Sequence, residues 1–311
     1  MKRFTALLLT ALLARSLTAC GAAEAPSGSG ADSVASTYAS SAAPSAAQKA
    51  PRPAVTLSKA TQVWSYGAND AVLVNSEWDS ATVTVPGNET AQKAIQADLD
   101  QILSTFRATS DEYFKDATDF YDENGRKLDS PAYYHSLSIT RGRCDNQVIS
   151  LTFDEGNYTG NDNRYARNYD SATGQVLTLK DLGNGVDQVA CDKIIRFVNQ
   201  IHKKDGLFLD RIKTADLKDV VTDDMFYFSK NGLVFISGQY LLQSYAEGIV
   251  EFTISYSDLE GRLKDAYNLG GGATQCQTTL GAYALKPDGS LDTSKVNYNV
   301  LAHNSPASTD S

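Results

Sequence analysis

The sequence predicts an α+β fold with an antiparallel sheet, packed helices and two subdomains. Apolar and polar residues alternate along 133–141 and 148–153, which is typical of half-buried strands. Apolar residues recur at helical spacing along 89–108 and 190–201, which predicts amphipathic helices. Runs of strands interrupted by only a few helices are typical of an antiparallel sheet that packs against those helices.

The predicted N-terminal subdomain covers residues 55–155. Its helix begins after Asn88, because asparagine is among the residues that cap helix N-termini best. The helix covers 89–108, the segment 113–121 extends it, and the turn at 122–125 ends it. The predicted strands, in chain order, are 55–63, 72–78, 81–85, 133–141 and 148–153.

The predicted C-terminal subdomain covers residues 156–262. Its clearest element is a hairpin at 225–236, because Asn231-Gly232 between two apolar runs is a strong turn signal. The other predicted elements are strands at 163–169, 175–179 and 249–256, a helix that opens at 182–185 and ends at 205–206, and a shorter helix at 207–219. A C-terminal extension at 263–302 and a disordered tail at 303–311 follow.

The first twenty residues have the pattern of a bacterial lipoprotein signal. Two basic residues precede an apolar run at 4–14, which is too short to span a membrane. The run Leu-Thr-Ala-Cys that ends at Cys20 is a lipobox. It predicts a signal peptide over 1–19, cleaved before Cys20, with a lipid on the cysteine sulfur. A plain secretory signal is the alternative, and Arg15 departs from the usual lipobox context.

Residues 20–54 are predicted to be a flexible tether. They are mostly Ala, Ser, Gly and Pro, and they contain almost nothing that could be buried in a core. A coil of this composition spans roughly 30 Å, which would lift a folded domain clear of lipid headgroups. Signal and tether together predict a lipid-anchored protein on the extracytoplasmic face of the cell membrane.

The charge of the chain argues against nucleic acid as a partner. Its formal net charge is −9, from 28 basic and 37 acidic residues. Loss of the three basic residues in the predicted signal makes the mature charge more negative still. Phosphate backbones would be repelled, whereas a basic protein partner would be attracted.

Three cysteines remain besides Cys20, namely Cys144, Cys191 and Cys276. In an oxidising compartment, an odd number is compatible with one disulfide and one free thiol, and the sequence does not choose the pair. Three buried, unpaired thiols are the alternative. Their spacing matches no zinc pattern, so neither a metal nor a cofactor is predicted.

The sequence carries no recognisable catalytic motif. The chain has no GxSxG, HExxH, phosphate-binding or dinucleotide-binding motif. The acidic pairs Asp111-Glu112 and Asp122-Glu123 are interpreted as solvated faces rather than as the carboxylates of a glycosidase. The sequence therefore predicts a protein that is not an enzyme.

A loop around Gly248 is the best candidate for a binding site. Tyrosine and carboxylate side chains between two strands suit recognition of a basic protein or a glycan. The predicted binding residues are Tyr158, Tyr240, Tyr245, Glu247 and Glu251. The alternative is that the tyrosines pack over the sheet edge while Gly248 makes a tight bend.

Several phrases together resemble one family. They are Asn157-Tyr158-Thr159-Gly160, the stretch 169–182, the helix through Ile194 and Ile201, the hairpin 226–235 and the segment 239–252. They resemble domain of unknown function 3298, the RsiV-like C-terminal domain, and residues 55–155 resemble the smaller domain that precedes it. One run departs: Gly160-Asn161-Asp162-Asn163-Arg164 stands where the family has Gly-Gly-Ala-His-Gly, so the histidine is absent.

The resemblance implies a function at the cell envelope. Such domain pairs occur in RsiV-type anti-sigma factors, which bind lysozyme, and before the catalytic domains of PdaC-type peptidoglycan deacetylases. We therefore expect an extracellular, lipid-anchored, non-catalytic binding module that recognises lysozyme or a peptidoglycan component. The alternatives are an enzyme that acts on peptidoglycan or another envelope polymer through an unrecognised site, and a structural accessory lipoprotein.

Overall fold

A computed structural model describes residues 51–125, 132–202, 207–278, 281–286, 291–292 and 294. Two mostly antiparallel sheets and a few helices confirm the predicted α+β class. The predicted signal peptide, Cys20, the tether up to residue 50, the helix end at 205–206 and the tail 303–311 lie outside the described residues.

The first sheet has five strands in chain order. They are β1 (Ala54–Tyr66), β2 (Ala71–Thr84), β3 (Tyr133–Cys144), β4 (Val148–Asn157) and β5 (Asn163–Asp170). All neighbours are antiparallel except β2 and β3, which run parallel. The long helix α1 (Glu89–Glu123) connects these two strands, as a parallel pair requires a crossover.

Helix α1 packs along this sheet. The side chain of Asn88 accepts a hydrogen bond from the backbone N–H of Ala91 at 3.1 Å, which caps the helix N-terminus. Ile95, Leu99 and Phe106 are buried and share a cluster with inward-facing strand residues. The predicted helix at 89–108 and its predicted extension are one continuous element.

Strand β2 changes the face that it buries midway along its length. Val74 and Ser76 are buried in its first half, and Ala81 and Val83 in its second, so the alternation skips a residue. Asp79 lies at the change, and its carboxylate accepts a hydrogen bond from the backbone N–H of Ile139 at 2.9 Å. This is why the sequence predicted two strands at 72–78 and 81–85 where the structure has one.

Helix α1 also covers the edge of β2 where β3 diverges. Gln92 accepts a hydrogen bond from the N–H of Val85 at 3.0 Å. Gln96 accepts from the N–H of Val83 at 3.1 Å and donates to the carbonyl of Ala81 at 3.0 Å. The two side chains thereby replace a neighbouring strand and satisfy backbone groups that would otherwise lack partners.

The second sheet has six antiparallel strands, again in chain order. They are β6 (Phe226–Phe228), β7 (Gly232–Ser237), β8 (Val250–Ser255), β9 (Gln275–Thr278), β10 (Gly281–Leu285) and β11 (Leu291–Asp292). Helices α2 (Leu179–Leu182) and α3 (Val186–Ile201) precede it, and Phe197 of α3 packs edge-on against Phe208 and Phe252. The predicted C-terminal extension therefore contributes three strands that the sequence did not predict.

Two predicted elements were wrong. The segment 175–179 is not a strand: Val176 forms one isolated bridge with Tyr169, and the chain then enters α2. The predicted helix at 207–219 is reduced to a 3-10 turn at Thr214–Leu217. In each case a local hydrogen bond to a carboxylate starts a short turn: the N–H of Thr178 donates to Asp181, and the N–H of Lys213 donates to Asp216.

The two sheets meet through a buried polar junction. Ser150 donates to the side-chain oxygen of Asn168 at 2.7 Å, and Asn168 donates to the carbonyl of Phe226 at 2.7 Å. The N–H of Phe228 donates to Ser150 at 2.9 Å, which closes the chain of bonds. The predicted subdomain boundary between 155 and 156 falls within β4, and β5 also belongs to the first sheet.

A second connection is made by Arg143, which is buried. Its guanidinium donates to Asp145 at 2.6 Å and to the carbonyl of Tyr267 at 2.5 Å. Asp145 also accepts hydrogen bonds from the backbone N–H groups of Gln147 and Val148. Burial alone would raise the pKa of Asp145, but these donors hold it below the ordinary 3.8.

This lowered pKa predicts a loss of stability in acid. The contribution of Asp145 is fully present above its unfolded pKa of 3.8 and is lost as the pH falls through the lower folded value. Urea unfolding at about pH 7, 5 and 3 should show a free energy of unfolding that drops between the last two. The D145N variant should lose less over that interval than the wild type; an equal loss in both would contradict the assignment.

Candidate binding surface

The loop between β7 and β8 exposes two stacked tyrosines. Tyr240 is 67% exposed and Tyr245 is 41% exposed, with ring centroids 5.3 Å apart. The backbone of Tyr240 is left-handed, with φ of +63°. A bulky residue adopts this conformation at a cost, and such strain is concentrated at functional sites. The structure therefore exposes an aromatic pair at the surface, and the left-handed backbone of Tyr240 within that pair is unfavourable for folding.

A buried glutamine, Gln243, organises this loop. Its amide donates to the carbonyls of Gly238 at 3.0 Å and Gly248 at 2.6 Å, and more weakly to that of Ser237 at 3.3 Å. Its side-chain oxygen accepts from the hydroxyl of Ser237 at 3.0 Å. Because these bonds join both ends of the loop, Gln243 fixes the backbone on which Tyr240 and Tyr245 stand.

The loop is also tied to the first sheet. The hydroxyl of Tyr245 donates to the carbonyl of Gly160 at 2.5 Å, and the N–H of Asp162 donates to the side chain of Gln239 at 3.2 Å. Gly160 has a φ of +76°, and a Cβ there would lie 2.9 Å from the Tyr245 hydroxyl. The run that departs from the family pattern thus supports the loop.

Tyr134 of β3 extends this area, and it is 47% exposed. Partial burial, the charge of Asp162 and the nearby Tyr245 raise the pKa of Tyr134, so the three groups lie within electrostatic reach of one another. Leu241 is exposed beside Tyr240. We call the set Tyr134, Asp162, Tyr240, Leu241 and Tyr245 the tyrosine surface.

The other predicted binding residues are not part of the tyrosine surface. Glu247 ends the 3-10 turn Tyr245–Glu247 and is half-buried. Glu251 is buried beneath the surface, where its carboxylate pairs with Arg164 at 2.9 Å and accepts from the hydroxyl of Tyr227 at 3.1 Å. Tyr158 stacks on Tyr133 with centroids 3.8 Å apart. Of the five predicted residues, the structure brings Tyr240 and Tyr245 together at the surface.

Arg164 bridges two carboxylates at the junction of the sheets. It pairs with Asp154 of β4, its neighbour in the first sheet, and with Glu251 of β8. Burial disfavours its charge, but Glu251 and Asp154 outweigh this effect and raise the pKa of Arg164. Burial and the charge of Glu251 likewise raise the pKa of Tyr227. Through Arg164, Glu251 therefore links β8 to the first sheet.

A serine–histidine–glutamate chain that sequence analysis missed lies between α1 and the first sheet. Ser110 lies 2.7 Å from Nδ1 of His135, and Nε2 of His135 lies 2.8 Å from Glu155. Ser110 and His135 are both fully buried, and Phe106 stacks on the imidazole at 4.0 Å. This burial closes the serine to any substrate, so we interpret the chain as a satisfied polar network in the core. Its only sequence signal was the position of His135 in the alternating face of β3.

Within the described residues, no three His, Cys, Asp or Glu side chains converge as a metal site would require. Cys144, Cys191 and Cys276 are unpaired thiols; Cys191 and Cys276 are buried, as the second alternative has it, whereas Cys144 is half-buried. Burial raises the pKa of Cys276 well above its ordinary value, which makes it a poor nucleophile. In the same part of the chain, no helix is long and apolar enough to cross a membrane.

Comparison with known proteins identifies a domain. Residues 186–257 match the family model described as "Protein of unknown function (DUF3298)". A solved DUF3298 structure from Bacteroides fragilis is 15% identical with a TM-score of 0.51, covering 69% of this chain and 94% of its own. One from Pseudomonas aeruginosa is 14% identical with a TM-score of 0.45, covering 71% and 98%. No curated protein matches. The segment that matches the DUF3298 model, residues 186–257, therefore includes the loop that carries Tyr240 and Tyr245.

Proposed function

We propose that this chain is a lipid-anchored, non-catalytic binding module on the extracytoplasmic face of the cell membrane. Its tyrosine surface would recognise a basic, envelope-attacking protein of the lysozyme type. The observation that carries this proposal is the stacked pair Tyr240–Tyr245, which a strained backbone holds in solvent. The lipid anchor rests on the signal pattern that ends at Cys20.

The chemistry of the surface suits a basic protein. Exposed tyrosines supply large contact area at low entropic cost, and they are enriched among the residues that dominate binding energy. Asp162 lies beside them, and the chain has a net charge of −9. Opposite charge would steer a cationic partner to the surface and would make binding weaken with salt. A neutral peptidoglycan fragment could stack on the same tyrosines, but without that salt dependence.

The test is calorimetric titration of the full chain with lysozyme at about 50 mM and about 300 mM salt. We expect saturable binding that is weaker at the higher salt. The Y240A and Y245A variants should each lose about 30-fold in affinity, which is the size of a hot-spot truncation. L269A is the matched control: Leu269 is 54% exposed, and Gly272, three residues later, lies against Asn231, at the end of β7 opposite Gly238.

Three outcomes decide the proposal. Binding that is lost in Y240A and Y245A but kept in L269A supports it. Binding that both tyrosine variants retain moves the site away from the tyrosine surface. If lysozyme does not bind but peptidoglycan fragments do, with the same dependence on the two tyrosines, the module recognises the polymer; release of cleaved fragments would make it an enzyme and overturn the proposal.

A further inference from the structure

The corner where the loop between β7 and β8 meets the first sheet holds an exposed aspartate, Asp162. A glycine allows its carboxylate to approach the sheet. A Cβ at Gly156 would lie 3.1 Å from Oδ1 of Asp162 and 3.1 Å from the hydroxyl of Ser136, so a larger residue would crowd both groups. Because Gly156 has no side chain, the carboxylate lies close against β3 and β4.

Tyr134 stands on the same face of the sheet as this carboxylate. Ser136 pairs with Gly156 in the register of β3 and β4, and Tyr134 precedes Ser136 by two residues, so all three share one face. His135, between the two β3 residues, is buried on the opposite face, where it contacts α1. The hydroxyl of Tyr134 and the carboxylate of Asp162 lie within electrostatic reach of each other.

Tyr245 approaches Asp162 from the second sheet. Its hydroxyl donates to the carbonyl of Gly160, two residues before Asp162, at 2.5 Å. The backbone N–H of Asp162 donates to the side chain of Gln239 at 3.2 Å. These bonds hold the backbone of Asp162 against the loop, so its carboxylate lies near two exposed tyrosines, one from each side of the corner.

The carboxylate of Asp162 has no cation of its own. No residue in the described ranges forms an ion pair with it, and the nearby guanidinium of Arg164 is shared by Asp154 and Glu251. Partial burial and the charge of Asp154 raise the pKa of Asp162, and Arg164 offsets them only in part. The negative charge of Asp162 is therefore unfavourable in the free protein, and a bound cation would relieve it.

We propose that Asp162 and the rings of Tyr134 and Tyr245 form a subsite that binds an arginine side chain of the partner. A guanidinium presents a planar fork of donors to a carboxylate and stacks on aromatic rings, whereas the ammonium of lysine is a compact, strongly hydrated charge. A cation over a tyrosine ring is also attracted by the electrons of the ring face. The inference rests on the proposed function, because it names the group by which the basic partner would be recognised.

The test uses a probe that carries a single guanidinium. N-acetyl-arginine amide is titrated into the full chain and followed by saturation-transfer NMR of the probe. The lysine counterpart of the probe is a second cation, and the citrulline counterpart is a neutral analogue of similar shape. The variant D162N removes the charge at nearly constant size, and D119N makes the same change at an exposed position of α1. Urea unfolding measures the stability of both variants.

We expect the arginine probe to bind in the millimolar range, the lysine probe more weakly and the citrulline probe not at all. D162N should weaken binding of the arginine probe at least about tenfold, because the charge-assisted bond is lost, while D119N binds as the wild type does. D162N should be at least as stable as the wild type, since repulsion from Asp154 is removed. Loss of both binding and stability in D162N would make Asp162 a support of the loop and overturn the proposal, as would equal binding of the arginine and lysine probes.

Lysozyme separates a failure of this inference from a failure of the proposed function. If D162N binds lysozyme as tightly as the wild type while Y240A and Y245A bind it weakly, the tyrosine surface is supported and the arginine subsite is overturned. If lysozyme does not bind, but the arginine probe binds and requires Asp162, the subsite is supported and the partner is not a protein of the lysozyme type.

Discussion

Replacing Arg164 by alanine is expected to destabilise the protein by about 3–5 kcal/mol, because it leaves buried carboxylates without their cation. The side chain of Arg164 is 18% exposed, and that of Glu251, its partner on β8, is 8% exposed. The hydroxyl of Tyr227 shares the Glu251 carboxylate, so the loss would also leave this donor beside an uncompensated charge. Urea unfolding at about pH 7 measures the change in the free energy of unfolding.

The matched control is R167A. Arg167 stands three residues further along β5, where its side chain is 30% exposed and lies 3.7 Å from Asp98. An exposed pair at that distance contributes at most about 1 kcal/mol, so R167A should be nearly neutral. If R164A loses no more stability than R167A, the sheets are held together by their apolar contacts and the ion pair at the junction is not needed.

The junction also explains why the sequence predicted Glu251 to be a surface residue, whereas the structure buries it. A carboxylate near two tyrosines, in a segment after a loop, suggests a surface group. In the structure Glu251 lies one residue into β8, a strand whose residues are all buried, and Arg164 comes from 87 residues earlier in the chain. Nothing local in the sequence reports such a partner, so burial of a paired charge could not be predicted.

Local sequence patterns, such as strand alternation and helix capping, predicted most of the helices and strands. The alternation in β3 and the Asn88 cap of α1 each appear in the structure. The predicted half-buried alternation at 148–153 does not, because these residues of β4 are buried on both faces of the sheet. The parallel pairing of β2 and β3 was not predictable, because a crossover leaves no local signal. Strands β9 to β11 were missed for another reason: they are short, and their order comes from pairing, of β9 with β8, of β10 with β9 and of β11 with β10.

The candidate site likewise contains some residues that the sequence predicted and others that it did not. Tyr240 and Tyr245 were predictable, because aromatic residues in a loop between two strands are conspicuous. Gln243 was not, because a glutamine in a polar loop gives no sign that its amide is fully buried. The left-handed backbone of Tyr240 was equally hidden, since sequence patterns expect glycine or asparagine there.

Replacing Gln243 by glutamate is expected to have the second-largest effect, on both stability and binding. The carboxylate cannot donate a hydrogen bond, so the carbonyls of Gly238 and Gly248 lose their buried donor. Their partially negative oxygens face a negatively charged oxygen instead. A loss of about 2–3 kcal/mol is the usual consequence of such unsatisfied groups. Once the loop backbone relaxes, Tyr240 no longer needs its left-handed conformation, and the stacked pair should separate.

The variant Q239E makes the same chemical change four residues earlier. Gln239 uses its side-chain oxygen as an acceptor, from the N–H of Asp162, and a carboxylate can accept the same bond. Q239E should therefore cost less than about 1 kcal/mol. Calorimetry with lysozyme tests the role of Gln243 in binding separately from its role in stability. We expect the affinity for lysozyme to fall in Q243E as in Y240A, and to stay at the wild-type level in Q239E, which keeps the aromatic pair. Wild-type affinity in a folded Q243E variant would mean that the partner does not require the tyrosines in the arrangement that Gln243 imposes.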